Sequence, residues 1–130
     1  SLWACDSGSD TLIHTQTNHN KIMELTKKKC VPCEDGVSPL TIQEAQNYLK
    51  NLNGWKLQNN YIEKEYTFPT YLDGLNFVYT IGNLAEDEGH HPDIFLGYKK
   101  VRIILTTHTI SGLSENDFIV AAKIDEIVPK

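Results

Sequence analysis

At 130 residues, with 40% hydrophobic and 22% charged side chains, the chain has the size and balance of one globular domain around one modest core. Its net charge is −5, Arg102 is the one arginine and there is no basic stripe, which argues against a phosphate-tracking nucleic-acid surface and a polyanionic substrate. No apolar run approaches membrane-spanning length.

Residues 1–38 read as a flexible N-terminal extension. Its first twenty or so residues are rich in Ser, Thr, Asn and His without periodicity, and His14 and His19 receive no role. Met23 is the only methionine, and a natural start there would put residues 1–22 outside the native protein. Cys5, Cys30 and Cys33 all fall in this part, so no disulfide can staple the core. That pattern, with neither a signal-peptide core nor an Arg-rich transit pattern at the start, is expected of an intracellular, cytoplasmic protein. Cys30-Val31-Pro32-Cys33 is a lone C-x-x-C. A structural zinc site needs four ligands, and a redox motif should follow a strand and open a helix, so these cysteines read as structural or incidental.

The domain proper is expected over 39–130. Thr41 with Glu44 forms a capping box for a first helix. Ile42, Ala45, Tyr48, Leu49 and Leu52 give its periodicity, and Gly54 is its expected left-handed stop. Trp55–Leu57 and Tyr61–Phe68 read as a hairpin, with Asn59-Asn60 expected to take positive φ at the turn. Thr70 and Asp73 start the longest helix, which runs to about Glu88. Asp73, Asn76, Thr80, Asn83 and Asp87 make a narrow polar stripe on it. Tyr71, Leu75, Val78, Gly82 and Ala85, extended by Phe77, Ile81 and Leu84, make an apolar arc too wide for one sheet. The excess predicts a second partner, most simply another copy of the chain. Pro92–Tyr98 and Lys100–Thr107 read as a second hairpin, and Ser114 with Asp117 at its third helical position opens a final helix. The order α-β-β-α-β-β-α predicts an α+β two-layer domain: a four-stranded antiparallel sheet with three helices on one face.

The chemistry gathers at Glu86-Asp87-Glu88-Gly89-His90-His91-Pro92-Asp93, where helix passes into strand. A turn at Lys99-Lys100 would pair residue 91 with 108, and a slip of one would pair 90 with 108. Either register sets His108, expected on a strand, beside His90 and His91. His90 can share a pocket with His91 only if it belongs to the irregular junction, since strand neighbours face opposite ways. Histidines so gathered can divide proton donation from proton acceptance. A three-histidine zinc site is the rival reading, and histidines that merely satisfy strand-end backbone groups are the plain one.

The pattern Glu86-x3-His90-His91-Pro92, then Tyr98, His108 and Asp117, resembles the signature of the pterin-4a-carbinolamine dehydratases. That family also includes the dimerisation cofactor of a homeodomain transcription factor. The likeness extends through Leu40-Thr41, Gly54-Trp55, Phe68, Thr107-His108 and Gly112-Leu113-Ser114, and Cys30-Val31-Pro32-Cys33-Glu34 resembles the leader of some microbial members. The resemblance implies a hydro-lyase that dehydrates 4a-hydroxytetrahydropterin to quinonoid dihydropterin in tetrahydrobiopterin recycling, with no metal and no organic cofactor. It implies a catalytic set of His90, His91 and His108, in which His90 and His108 are the acid–base residues in either order, with His90 expected as base and His108 as acid, and His91 helps hold the pterin. Glu86, Pro92, Thr107, Thr109 and Ile110 would line the substrate site. Asp117 matches the signature and is read as a helix-start residue rather than a catalyst. Gly89 departs from the polar or acidic residue of well-known members, which leaves one supporting interaction open. A homodimer or homotetramer through the 70–88 helix and the sheet edges is implied, without membrane or direct nucleic-acid binding. A hydroxylase or transcription-factor partner, with nuclear residence, is the further implication. The alternative from another class is a non-catalytic dimerisation or coactivator-type module on the same fold.

Overall fold

The structure is a computed structural model that describes residues 25–30 and 38–128. Thr41 accepts the Glu44 N–H on its hydroxyl, and Glu44 returns a carboxylate oxygen to the Thr41 N–H, so the expected capping box opens α1 (Ile42–Leu49). Such a cap is worth about 1 kcal/mol. α1 ends sooner than its apolar spacing predicts. Lys50 is still right-handed, and Gly54, at φ +81°, turns the chain only after Leu52 has entered the core.

The strands β1 (Lys56–Leu57) and β2 (Ile62–Thr67) form the first hairpin. Its four-residue connection closes with Gln58 N–H donating to Tyr61 O at 2.9 Å. The positive φ expected at Asn59-Asn60 is absent: among the described non-glycine residues only Lys99 and Ser111 have it. A loop of this length turns without left-handed residues, unlike a two-residue one.

Thr70 accepts from Asp73 N–H and opens α2 (Tyr71–Glu88), as expected. β3 (Asp93–Gly97), β4 (Lys100–Leu105), a 3-10 turn (His108–Ile110) and α3 (Glu115–Ile127) complete the expected element order. The strands lie β1-β2-β4-β3, all antiparallel. Ile62 and Tyr66 of β2 and Val101, Ile103 and Leu105 of β4 are buried beneath the helices. Glu63 and Arg102 pair on the opposite, solvated face. The sheet is thus apolar on one side, and the two-layer α+β architecture follows.

The helices use their apolar surface differently. α3 buries Phe118, Ile119, Val120, Ala121, Ala122 and Ile124, with Phe118 stacked on Tyr48 at 5.0 Å. α2 buries only Gly74, Phe77, Ile81 and Ala85. The wide arc read from its sequence divides, and Tyr71, Leu72, Leu75 and Tyr79 are exposed.

Of the extension, residues 25–27 are helical and Leu25 is buried in the core. This stretch is therefore packed, not loose as the flexible extension over 1–38 would have it, because an apolar side chain and polar partners on the domain tie it down. The expectations for residues 1–24, including His14, His19 and Met23, and for Cys33 lie outside the described residues. No described helix is long and apolar enough to cross a membrane.

Candidate functional site

The site begins with the way α2 ends. Gly89 adopts φ +66°, its N–H and that of His90 fold back on Glu86 O (3.4 Å) and Ala85 O (3.2 Å), and the helix stops in a Schellman turn. A side chain with a Cβ is strained in this conformation, which supplies the physical reason for glycine before the histidine pair. His90, His91 and Pro92 then run through an irregular junction before β3 begins at Asp93, so strand alternation does not force the two imidazoles apart.

His90 turns inward. Its Nε2 lies 2.6 Å from Asp117 Oδ1, and the Asp117 side chain is fully buried. Asp117 is the third residue of α3 and completes a capping box with Ser114, whose N–H donates to Asp117 Oδ2 at 3.0 Å. Thr107 Oγ1 donates to the same oxygen at 2.9 Å and lies 2.8 Å from Ser114 Oγ. A buried carboxylate is tolerated only when its lone pairs are satisfied, and here three donors converge on it. A carboxylate that accepts from Nε2–H fixes the neutral imidazole in one tautomer and leaves the Nδ1 lone pair available as a base.

His91 turns the other way, toward solvent, with its Nε2 hydrogen-bonded to the exposed carboxylate of Glu86 one turn back on α2. Pro92, beside it, is half-buried.

His108 departs from expectation. The turn residues are Tyr98 and Lys99, with Lys99 at φ +61°, so Gly97 pairs with Lys100 and Asp93 with Ile104. The expected pairings of 108 with 91 or 90 are overturned. Extended past the strand ends, the observed register sets Thr107, not His108, level with His90, and both residues bond Asp117. β4 ends at Leu105, and His108 lies on the 3-10 turn instead of on a strand. The cause is local. Thr107 and Gly112 exchange backbone hydrogen bonds of 2.8 and 3.3 Å, Ser111 is left-handed at φ +56°, and the intervening loop is pinched off. Gly112 fits because a Cβ there would stand 2.6 Å from Pro39 Cβ. His108 and Thr109 are exposed on this loop, whereas Ile110 is buried beneath it.

The structure therefore joins His90, Thr107 and Asp117 in one hydrogen-bond network and His91 with Glu86 in another. His108 follows directly after Thr107, but its side chain makes no hydrogen bond or ion pair among the described residues. Sequence reasoning gave Asp117 only its cap. The Ser-x-x-Asp spacing announces that bond, but the second oxygen's partner lies 27 positions away in the chain. Thr107, expected to touch substrate, spends its hydroxyl on Asp117 and Ser114. Among the described residues, no three His, Cys, Asp or Glu side chains are grouped so as to hold a metal ion.

Comparison with known proteins bears on the chain as a whole. The family model for pterin 4 alpha carbinolamine dehydratase matches residues 38–127. A Nitrosomonas eutropha protein named provisionally as a pterin-4-alpha-carbinolamine dehydratase is 46% identical over 82% of this chain and 96% of its own length. A Nitrosomonas europaea protein with the same provisional name is 47% identical over 80% of this chain and 93% of its own. Among solved structures, a transcriptional coactivator/pterin dehydratase from Brucella melitensis superposes with a TM-score of 0.67 at 29% identity, covering 71% of this chain and all of the other. A pterin dehydratase-like protein identified as a RuBisCO assembly factor in the alpha-carboxysome gives a TM-score of 0.52 at 26% identity, over 60% of this chain and 93% of its own. On the extent of the family match and the identity to these relatives, the chain belongs to the pterin 4 alpha carbinolamine dehydratase family.

Proposed function

We propose that the protein is a hydro-lyase that removes water from 4a-hydroxytetrahydropterin to give quinonoid dihydropterin by histidine acid–base catalysis, in tetrahydrobiopterin recycling. The observation that carries this reading is His90 Nε2 held 2.6 Å from the buried Asp117 carboxylate, which leaves Nδ1 as the basic atom. The atoms balance simply. His90 takes the proton from a ring N–H, a protonated His108 gives one to the hydroxyl on C4a, the C–O bond breaks, a C=N bond forms and water departs. His91 and Glu86, both exposed, would hold the pterin, whose hydrogen-bonding edge suits an imidazole and a carboxylate. Pro92 and Thr109 would contact it from either side of the junction, with Ile110 and Thr107 supporting the loop. The chemistry draws on no metal and no organic cofactor.

The test follows loss of 4a-hydroxypterin absorbance after a hydroxylase turnover, with chelator present. The reading expects acceleration by the wild-type protein and little by His90→Ala or His108→Ala with unchanged circular dichroism. Full activity in either variant would discard these roles.

A second reading, a protein-binding role, is favoured by one observation. Tyr71, Leu72, Leu75 and Tyr79 form an exposed apolar stripe on α2, and Phe95 is exposed on the edge strand β3. This surface suits a second copy of the chain in a dimer or tetramer, or a hydroxylase or transcription-factor partner, in the cytoplasm or nucleus. Sedimentation at micromolar concentration is expected to give a mass well above that of one chain, and a clean monomer would remove self-association.

A further inference from the structure

Residues 25–30 take no part in the proposed chemistry, yet they are anchored within two residues of His90. Leu25 enters the core. Lys28 Nζ donates to Glu115 Oε2 at 2.8 Å, and Cys30 Sγ lies 3.7 Å from Asn116 O, so the segment grips the first turn of α3. On the other side, the Cys30 N–H donates to Glu88 Oε1 at 3.0 Å, and Lys123 Nζ donates to Glu88 Oε2 at 2.5 Å. Glu88 is the last residue of α2, and its side chain is 5% exposed. A carboxylate that deep is stable only when both oxygens are matched, and here the two partners come from two other segments of the chain. Burial pushes its carboxyl up, but the Lys123 and Cys30 hydrogen bonds and the Lys123 charge outweigh it and hold it below the usual carboxylate range.

Position gives this junction its meaning. After Glu88 comes Gly89, where the chain reverses, and then His90. The reversal is closed by bonds of 3.4 and 3.2 Å, at and beyond the long end of the normal range. The direction in which His90 leaves α2 therefore depends on what holds the last helical residue. Asp117, which receives His90, sits in the same turn of α3 that Lys28 and Cys30 grip. We propose that residues 25–30 form an intramolecular strap across the ends of α2 and α3, with Glu88 as a positioning residue that sets the His90–Asp117 contact for catalysis. The activity arm of its test rests on the dehydratase reading, and the exchange arm does not.

Two readouts on the full chain decide the matter. Glu88→Ala is expected to lower kcat about tenfold with KM changed less than about twofold, because misplaced catalytic groups cost rate more than binding. Glu88→Gln, which can still accept the Cys30 N–H, is expected to recover kcat to within about threefold of wild type. Leu25→Ala combined with Lys28→Ala, which leaves the His90 and Asp117 side chains intact, is expected to lower kcat in the same sense. Trp55→Phe, which removes a 2.9 Å bond to Asp125 on another seam, is the stability control and is expected to leave kcat unchanged. Hydrogen exchange at amides 89–91 is expected to quicken in Glu88→Ala and in the Leu25/Lys28 double variant, and not in the control. Unchanged exchange in both, or an equal loss of kcat in Trp55→Phe, would overturn the strap. A wild-type protein without dehydration would sink the enzyme reading instead, and exchange alone would then judge the strap.

Discussion

His90 presents an imidazole that is 11% exposed to a carboxylate that solvent does not reach, whereas His91, the next residue, is 60% exposed and meets a carboxylate that is itself 76% exposed. Both are histidine–carboxylate pairs. The first is held by donors from three segments, the junction, the Thr107 loop and the start of α3, and has one available geometry. The second joins two side chains in water, where such pairs are worth ~0–1 kcal/mol, so either partner can exchange the other for a ligand. On the proposed function, the difference teaches a division of labour: the inner pair would fix a proton acceptor, and the outer pair would be free to grip substrate.

The largest expected effect removes the fixed base. His90→Ala should lower kcat by ~10²–10⁴-fold, the usual worth of a general acid–base group, whereas His91→Ala should mainly raise KM. Steady-state kinetics on the two variants would erase the comparison if the profiles matched. Asp117→Asn comes next. It keeps a cap acceptor but loses the charge that orients Nε2–H, so kcat should fall by ~10²-fold and stability by about 1–3 kcal/mol, measured by turnover and urea unfolding. Glu86→Gln should change kcat/KM only a few-fold with no loss of stability, as an exposed pair implies.

The smallest effect concerns pH and the seam that backs the inner pair. The Glu88 carboxyl is held below its ordinary 4.5, so its stabilising contribution is present above that value and is lost as pH falls through the lowered one. Burial, with the charge of Glu88, pushes the Cys30 thiol up from 9.0 to about 12, and burial with Glu115 pushes Tyr48 up from 10.0 to about 12. Folding holds both groups neutral. Their contribution is therefore complete below pH 9 and declines as pH rises toward 12. Urea midpoints should fall at both ends of the pH range, and Glu88→Gln should flatten the acid limb.

What the chain disclosed in advance was local. Thr41 with Glu44 and Thr70 with Asp73 name their helix starts because a cap is decided within four residues. The paired histidines after a helix end were legible for the same reason. The register of the second hairpin was not, since sequence does not say which of Lys99 and Lys100 accepts positive φ, and a choice one residue off moves every later pairing. The strand expected over Lys100–Thr107, with His108 after it, stops at Leu105, because a hydroxyl bond from Thr107 to Asp117 and a left-handed Ser111 divert the chain. Leu25 reads as part of a loose extension because the partners that hold it are distant in sequence.

The most direct test of the central claim is the side-chain ¹⁵N NMR spectrum of His90 in the wild-type protein at neutral pH. The account expects a slowly exchanging Nε2–H with an unprotonated Nδ1, a pattern lost in Asp117→Asn. A proton on Nδ1 with Nε2 bare, or a freely averaging imidazole like that of an exposed histidine, would contradict it.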